Sequence, residues 1–322
     1  MLPSVRALLT EVVDFAGLFP PAELEMSAAV DRFQRHSVAP ERWMLARLVV
    51  PAARLEELSP LLPGGSCPWP PIRLAALGRP ISSREGRAAG LSRDLADIQT
   101  FVERHPERAA VEQLELRLPD EADEIPGAVE GALDQIRSRS PALAPFFEAS
   151  LLGDWPERLD RTIDALSAAA AGSSQVGLKI RCGGRDAAAV PSPQAVAAAL
   201  AAGRRSGLPL KATQGLHQPV RHFDSGLRAV IHGFLNLFFA GVLAHVHALS
   251  DQELLAIVED EEAAAFSFTD DGLAWRDLAA GLDDIITARR IAVTAFGSCS
   301  FSEPRDGLRG LGLLAGGAPS HG

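Results

Sequence analysis

Eight short apolar runs, with helical segments between them, constrain the fold of this chain more than any other feature. The runs lie at 43–50 (WMLARLVV), 72–77 (IRLAAL), 111–118 (VEQLELRL), 144–150 (APFFEAS), 176–182 (VGLKIRC), 208–213 (LPLKAT), 263–269 (AAAFSFT) and 292–298 (AVTAFGS). Helical patterning falls over 52–61, 90–104, 124–138, 156–171, 191–205, 224–248 and 281–290, and over 4–16 and 22–35 ahead of the first run. A β–α repeat of roughly 30–40 residues fits parallel strands joined by helical crossovers. The pattern predicts an α/β fold, a (β/α)8 barrel of the TIM type with an N-terminal helical extension over 1–40. One domain runs to residue 314, and the tail at 315–322 is expected to be disordered. A doubly wound sheet is the alternative. It lacks its fingerprint, because RCGGRD at 181–186 is neither a GxGxxG nor a P-loop.

The stretch DFAGLFPPAELEM (14–26) reads as a helix end, a Gly stop and a Pro-Pro entry into the next helix. It is expected to plug the barrel bottom. Laid over the mouth instead, it would bring Asp14 into a site. The apolar stretch 229–249 contains His232, Asn236, His245 and His247, which suits a buried helix and not a membrane span. The N-terminus has no signal-peptide pattern. A net charge of −10 argues against nucleic-acid and anionic-membrane partners but leaves room for a local basic pocket. Three widely spaced cysteines (Cys67, Cys182, Cys299) suit a reducing, cytoplasmic setting. The oligomeric state is open, a homo-oligomer included.

Of 31 basic Lys and Arg residues only two are lysines, Lys179 and Lys211, and both fall in strand candidates. Tyrosine is absent and Asn236 is the only asparagine, a skew expected of a GC-rich genome that drifts from Lys to Arg. A lysine that survives such drift points to a task arginine cannot perform. An amine can lose its proton and act as nucleophile or base, whereas a guanidinium cannot.

Strand alternation puts Glu115 and Arg117 on one face of their strand, with Glu148, Lys179, Arg181 and Lys211 on the polar faces of the next three. Four neighbouring strands thus send two acids and four bases toward one interior, at the end where this fold places active sites. The plain alternative is a structural ion-pair network. In the active-site reading Lys211 is the leading nucleophile, its pKa lowered by like charges and apolar walls, and Lys179 is able to exchange roles with it. Glu148 and Glu115 would move protons. Arg181 and Arg117 would hold an anionic substrate, with Thr213, His217, His222, His232 and Asn236 as further contacts.

The segments GLKIRCGG (177–184) and LKATQG (210–215) resemble the paired lysine strands of the deoxyribose-phosphate aldolase group and other class I aldolase barrels. The resemblance implies a Schiff-base lysine and a partner lysine on adjacent strands. Lys211-Ala-Thr213-Gln-Gly215 matches the family's lysine followed by small residues. Lys179-Ile-Arg181-Cys-Gly183-Gly184 matches more loosely. The two motifs run in reverse order, and Arg181 adds a charge. VDFAGLFPPA, KATQGLHQPVRH and FGSCSFSEP together resemble a bacterial group of aldolase-type barrels, a likeness that bears on the fold.

Two further readings concern the loops. Glu148, His217 and His222 could ligate a divalent metal, although no cofactor is required by the sequence. Gly297, Ser298 and Ser300 could offer backbone N–H groups to a phosphate, with Cys299 and Cys182 packed away from the site. The expected function is an enzyme acting on a small anionic carbonyl metabolite, a Schiff-base lyase or aldolase, or an isomerase. A metal-dependent hydrolase or lyase and a non-catalytic metabolite-binding barrel are the alternatives.

Overall fold

The computed structural model describes residues 1–62, 71–80, 84–170 and 176–316, so Cys67 and the tail beyond 316 lie outside the described residues. The strands are β1 (Val13–Phe15), β2 (Leu45–Pro51), β3 (Ile72–Leu77), β4 (Ala109–Arg117), β5 (Ala144–Ala149), β6 (Gly177–Arg181), β7 (Leu210–Thr213), β8 (His222–Asp224), β9 (Ala229–Ile231), β10 (Phe266–Phe268), β11 (Gly272–Trp275), β12 (Leu278–Gly281) and β13 (Val293–Ser298). Eight of them close a parallel barrel in the order β1-β13-β7-β6-β5-β4-β3-β2, so the fold is a (β/α)8 barrel. The helices are α1 (Pro3–Leu9), α2 (Met26–His36), α3 (Arg84–Arg104), α4 (Ile125–Arg139), α5 (Trp155–Ala170), α6 (Pro193–Ser206), α7 (Phe234–Val246), α8 (Asp251–Glu259), α9 (Leu282–Ile291) and α10 (Ser302–Gly310).

The strand count matches the sequence reading, but two members differ. The barrel begins at Val13–Phe15, inside the segment expected to be helix 4–16. Three residues a short turn after a helix carry too little alternation to stand out. All three are nonetheless buried, and they pair with β13 and β2. The run 263–269 is not a barrel strand. Its core, β10, pairs antiparallel with β11, which pairs with β12. The polar turn Thr269-Asp270-Asp271 folds the chain back at once: Thr269 Oγ1 accepts from the Gly272 and Asp271 amides at 3.1 and 3.3 Å. Nor does a helix start at 224. Asp224 accepts from the Leu227 amide at 2.7 Å, turning the β8–β9 hairpin, and α7 begins at Phe234.

The N-terminal extension is divided between the two ends of the barrel. Helix α1 and Thr10–Glu11 border a cavity at the bottom. Residues beyond β1, Ala16 and Phe19 to Pro21, border the mouth. The expected plug is therefore a wall strand with a helix below it and a loop above.

Local signals explain the helices that flank the lysine strands. On α6, Ser192 Oγ accepts from the Ala195 amide at 3.2 Å, Pro193 takes the first position, and Gly207 at φ +64° ends the helix. Residues Phe234 to Ala244 of α7 are all buried. No helix among the described residues is long and apolar enough to cross a membrane. Asn236, on the first turn of α7, accepts from the Arg221 amide at 2.9 Å and donates to the carbonyls of Ile257 and Asp260 at 2.9 and 2.8 Å. It pins three segments together.

His232 is fully buried; its Nε2 donates to the Pro191 carbonyl at 2.9 Å, and its Nδ1 has no hydrogen-bond partner among the described residues. Burial pushes its pKa down to about 4. The unfolded chain therefore takes up this proton first, and stability falls as pH drops from about 6.5 to about 4. The shift corresponds to about 3 kcal/mol. Urea unfolding across that window should show this loss, and His232→Gln, which keeps the donor to Pro191, should flatten it.

Candidate active site

The inward faces of β4 to β7 carry charge in register: Lys179 lies beside Lys211, and Glu148 lies beside Lys179. Adjacent lysines would repel one another if nothing lay between them. Glu115 supplies the separation. Its Oε2 contacts Lys179 Nζ at 2.6 Å and its Oε1 accepts from Lys211 Nζ. Lys179 also contacts Glu148 at 2.8 Å, and Arg181 Nε reaches the other Glu148 oxygen at 2.7 Å. Lys211 contacts Asp14 of β1 at 2.5 Å and donates to Gln113 at 2.9 Å.

The row continues toward the barrel bottom. Asp14 accepts from the Arg47 amide at 3.1 Å and meets its guanidinium at 3.4 Å. Glu112 meets Arg47 and Arg73, each at 2.7 Å, and Arg73 meets Glu11 at 2.7 Å. Arg181, Glu148, Lys179, Glu115, Lys211, Asp14, Arg47, Glu112, Arg73 and Glu11 thus alternate in sign from mouth to base. Burial raises the carboxyl pKa values, and the cations outweigh it. Lys179 and Lys211 hold Glu115 at about 2, and Lys179 and Arg181 hold Glu148 below its usual value. For Lys179 burial favours the neutral amine, but Glu115 and Glu148 override it and raise the pKa. The sequence reading predicts a lowered pKa for Lys211, with Lys179 able to exchange roles; for Lys179 the shift runs the other way, because its neighbours are carboxylates and not other cations.

The two amines differ in access. An ammonium has three N–H groups. Lys211 meets three acceptors, Asp14, Glu115 and Gln113, and is fully buried. Lys179 meets two, Glu115 and Glu148, and borders a mouth cavity of about 670 Å³ that Lys211 does not reach. Glu115 and Lys179 lie at its inner end, with Arg181 and Thr213 above them and His217 and His222 farther out on the loops. Arg185 pairs with Glu23 beside the same cavity.

The loops after β6 and β7 touch backbone to backbone. A Cβ at Gly215, where φ is +72°, would lie 2.9 Å from both the Cys182 carbonyl and Gly183 Cα. Glycine at both positions is what allows the two lysine strands to end side by side.

Other expected contacts lie elsewhere. Arg117 is half-exposed at the end of β4, paired with Asp120 at 3.1 Å and outside the mouth cavity; it borders a smaller adjoining pocket with Glu148 and Arg181. His232 and Asn236 do not line the cavity. Ser298 Oγ accepts from the Ser300 amide at 3.3 Å and Ser300 Oγ from the Glu303 amide at 3.2 Å; both shape the turn into α10 and neither lines the cavity. Gly297 and Cys299 line it instead. Cys299 was expected to pack away, but β13 ends at Ser298 and the alternation ends with it. Burial pushes the Cys299 thiol up to about 11, while Cys182 is core.

The metal reading does not gain a ligand set. Glu148 serves Lys179 and Arg181, His217 Nδ1 faces Glu303 at 3.0 Å, and His222 Nδ1 lies 3.0 Å from the Val220 carbonyl. No group of three or more His, Cys, Asp or Glu among the described residues is arranged to hold a metal ion. Glu303 and Gln113 escaped the sequence reading; the S-x-x-E spacing of Ser300 and Glu303 was the available signal for the former. No protein-family model and no curated protein matches this chain.

Lys211→Met should leave Asp14 and Glu115 each short of a buried cation and cost about 3–5 kcal/mol in urea unfolding. Adding Asp14→Asn to that variant should recover part of the loss, a coupling that a double-mutant cycle measures directly.

Proposed function

We propose that this chain is an enzyme of imine chemistry, a lyase of the aldolase type or an isomerase, acting on a small phosphorylated or carboxylated carbonyl compound through Lys179. One observation carries the reading: of the two lysines, Lys179 alone borders the mouth cavity, with its Nζ between two carboxylates. The cavity volume suits a small metabolite.

The charge arrangement supports the same reading. Condensing an ammonium with a carbonyl gives an iminium and water, so one positive charge precedes the reaction and one follows it. Glu115 and Glu148 are already aimed at that charge, so the protein need not reorganise to stabilise the iminium. The amine must lose its proton before it attacks. Glu148, at 2.8 Å and shared with the more exposed Arg181, is the carboxylate in place to relay it, while Glu115 at 2.6 Å stays ionised as the counter-charge. Lys211 compensates Glu115 from below, which keeps that carboxylate ionised. Arg181 uses Nε for Glu148, and its Nη groups have no protein partner among the described residues, leaving them for a substrate phosphate or carboxylate.

Borohydride reduction in the presence of small aldehydes, ketones and sugar phosphates tests the reading by peptide mass spectrometry. A substrate-selective adduct is expected on Lys179 and none on Lys211. Lys179→Arg should abolish the adduct. Adducts on Lys211 alone, or on neither lysine across the panel, would overturn the reading.

A further inference from the structure

The mouth cavity has a second chemical element, built by the loop after β7 and by α10. His217 and Glu303 both line the cavity, and the imidazole Nδ1 faces the carboxylate at 3.0 Å. His217 beside it holds the Glu303 carboxyl below its usual range. With Nδ1 turned to the carboxylate, Nε2 is the nitrogen left for a bound molecule, and it has no protein partner among the described residues. The contact is an ion-pair approach that falls short of hydrogen-bond alignment, and it sets one ring nitrogen beside a carboxylate while leaving the other available, the division of roles a general base uses.

The surroundings hold this pair in place. The carbonyls of Gln218 and Pro219 accept the first amides of α7, from Phe234 at 3.1 Å and Leu235 at 2.8 Å. On the other side α10 is pressed against the same loop. A Cβ at Gly307 would lie 2.5 Å from Pro219 Cδ and 2.8 Å from Gln218 Oε1. The S-x-x-E sequence at the start of α10 would ordinarily turn its glutamate back to the Ser300 amide. That amide instead donates to Ser298 Oγ at 3.3 Å, while the Glu303 carboxylate faces His217.

Resting on the imine reading of Lys179, we propose that His217 is the catalytic acid–base group of the step after imine formation, with Glu303 as its positioning residue. In the cleavage of a β-hydroxy carbonyl bound as an iminium, His217 Nε2 takes the hydroxyl proton. The C–C bond breaks, and the hydroxyl carbon leaves as a carbonyl. The electron pair of that bond enters an enamine, whose nitrogen becomes neutral. His217 then returns the proton to the enamine carbon and restores the iminium, which water hydrolyses to the second carbonyl product and the Lys179 ammonium. The Glu303 carboxylate faces the transient imidazolium throughout.

The proton transfer at carbon can be isolated with pyruvate and dihydroxyacetone phosphate. Each is incubated with the protein in D2O, and exchange at the carbon next to the carbonyl is followed by NMR. Borohydride trapping on Lys179 is measured in parallel. His217→Gln should retain trapping and lose exchange by about 100-fold or more. Glu303→Gln should also retain trapping and lose part of the exchange, and Glu303→Asp should recover some of it. Loss of folding in either variant would show as lost trapping, so retained trapping separates a chemical role from a structural one. Exchange at the wild-type rate in His217→Gln would overturn this assignment and leave the imine reading standing. Loss of trapping in a folded His217→Gln would overturn it too, by placing His217 in imine formation. Failure of both compounds to trap on wild-type Lys179 would overturn the imine reading and this assignment with it.

Discussion

A buried charge is tolerated only while an opposite charge stays beside it, and the interior of this barrel rests on that condition. Moving a single ammonium or carboxylate out of water costs several kcal/mol, and good ionic geometry is needed to offset it. In most barrels of this type branched apolar side chains fill the centre. Here the centre is filled by Asp14, Glu115, Glu148, Lys179 and Lys211, all buried. Each sits between groups of opposite sign, and Glu115 contributes one oxygen to each lysine. The register that sets Lys179 beside Lys211 is stable because that carboxylate reaches both.

The same condition divides labour between the two amines. Lys211 donates to Gln113 and Glu115, forms an ion pair with Asp14 and lies sealed in the barrel. It behaves as part of the wall. Lys179 forms ion pairs with Glu115 and Glu148 and borders the cavity. The difference comes from their other neighbours: Lys211 also meets Gln113 and Asp14 of the short first strand, whereas Lys179 lies between Glu115 and Glu148. Remove that strand from the fold and the two lysines would be hard to tell apart.

That strand is also where the sequence was least legible. The interior positions of Glu115, Glu148, Lys179 and Lys211 followed from alternation, because β4 to β7 have long or strongly apolar outer faces. Val13–Phe15 offers three residues, too few for a period to register, so the element carrying the key counter-ion read as the end of a helix. Phe266–Phe268 misled in the opposite sense. It has the composition of a barrel strand, and only tertiary pairing with Gly272–Trp275 shows that it belongs to a separate sheet. The raised pKa of Lys179 was hidden for a related reason: charge counts along strands do not show which opposite charges end up in contact. The pairing of His217 with Glu303, 86 residues apart by their numbers, was likewise beyond any local pattern.

The alternating row has a consequence for how such a sequence can change over time. A member replaced alone leaves its neighbours unbalanced, so the row resists single substitutions and admits them most readily in compensating pairs. Lys211 is restricted further. Its compact ammonium meets three acceptors converging from two strands, β1 and β4, a geometry that a flat, longer guanidinium would not reproduce. In a chain that has otherwise given nearly every basic position to arginine, this one is held by the shape of its surroundings as well as by their charge. The scarcity of lysine is then a record of packing: the amine persists where the barrel left room for nothing larger.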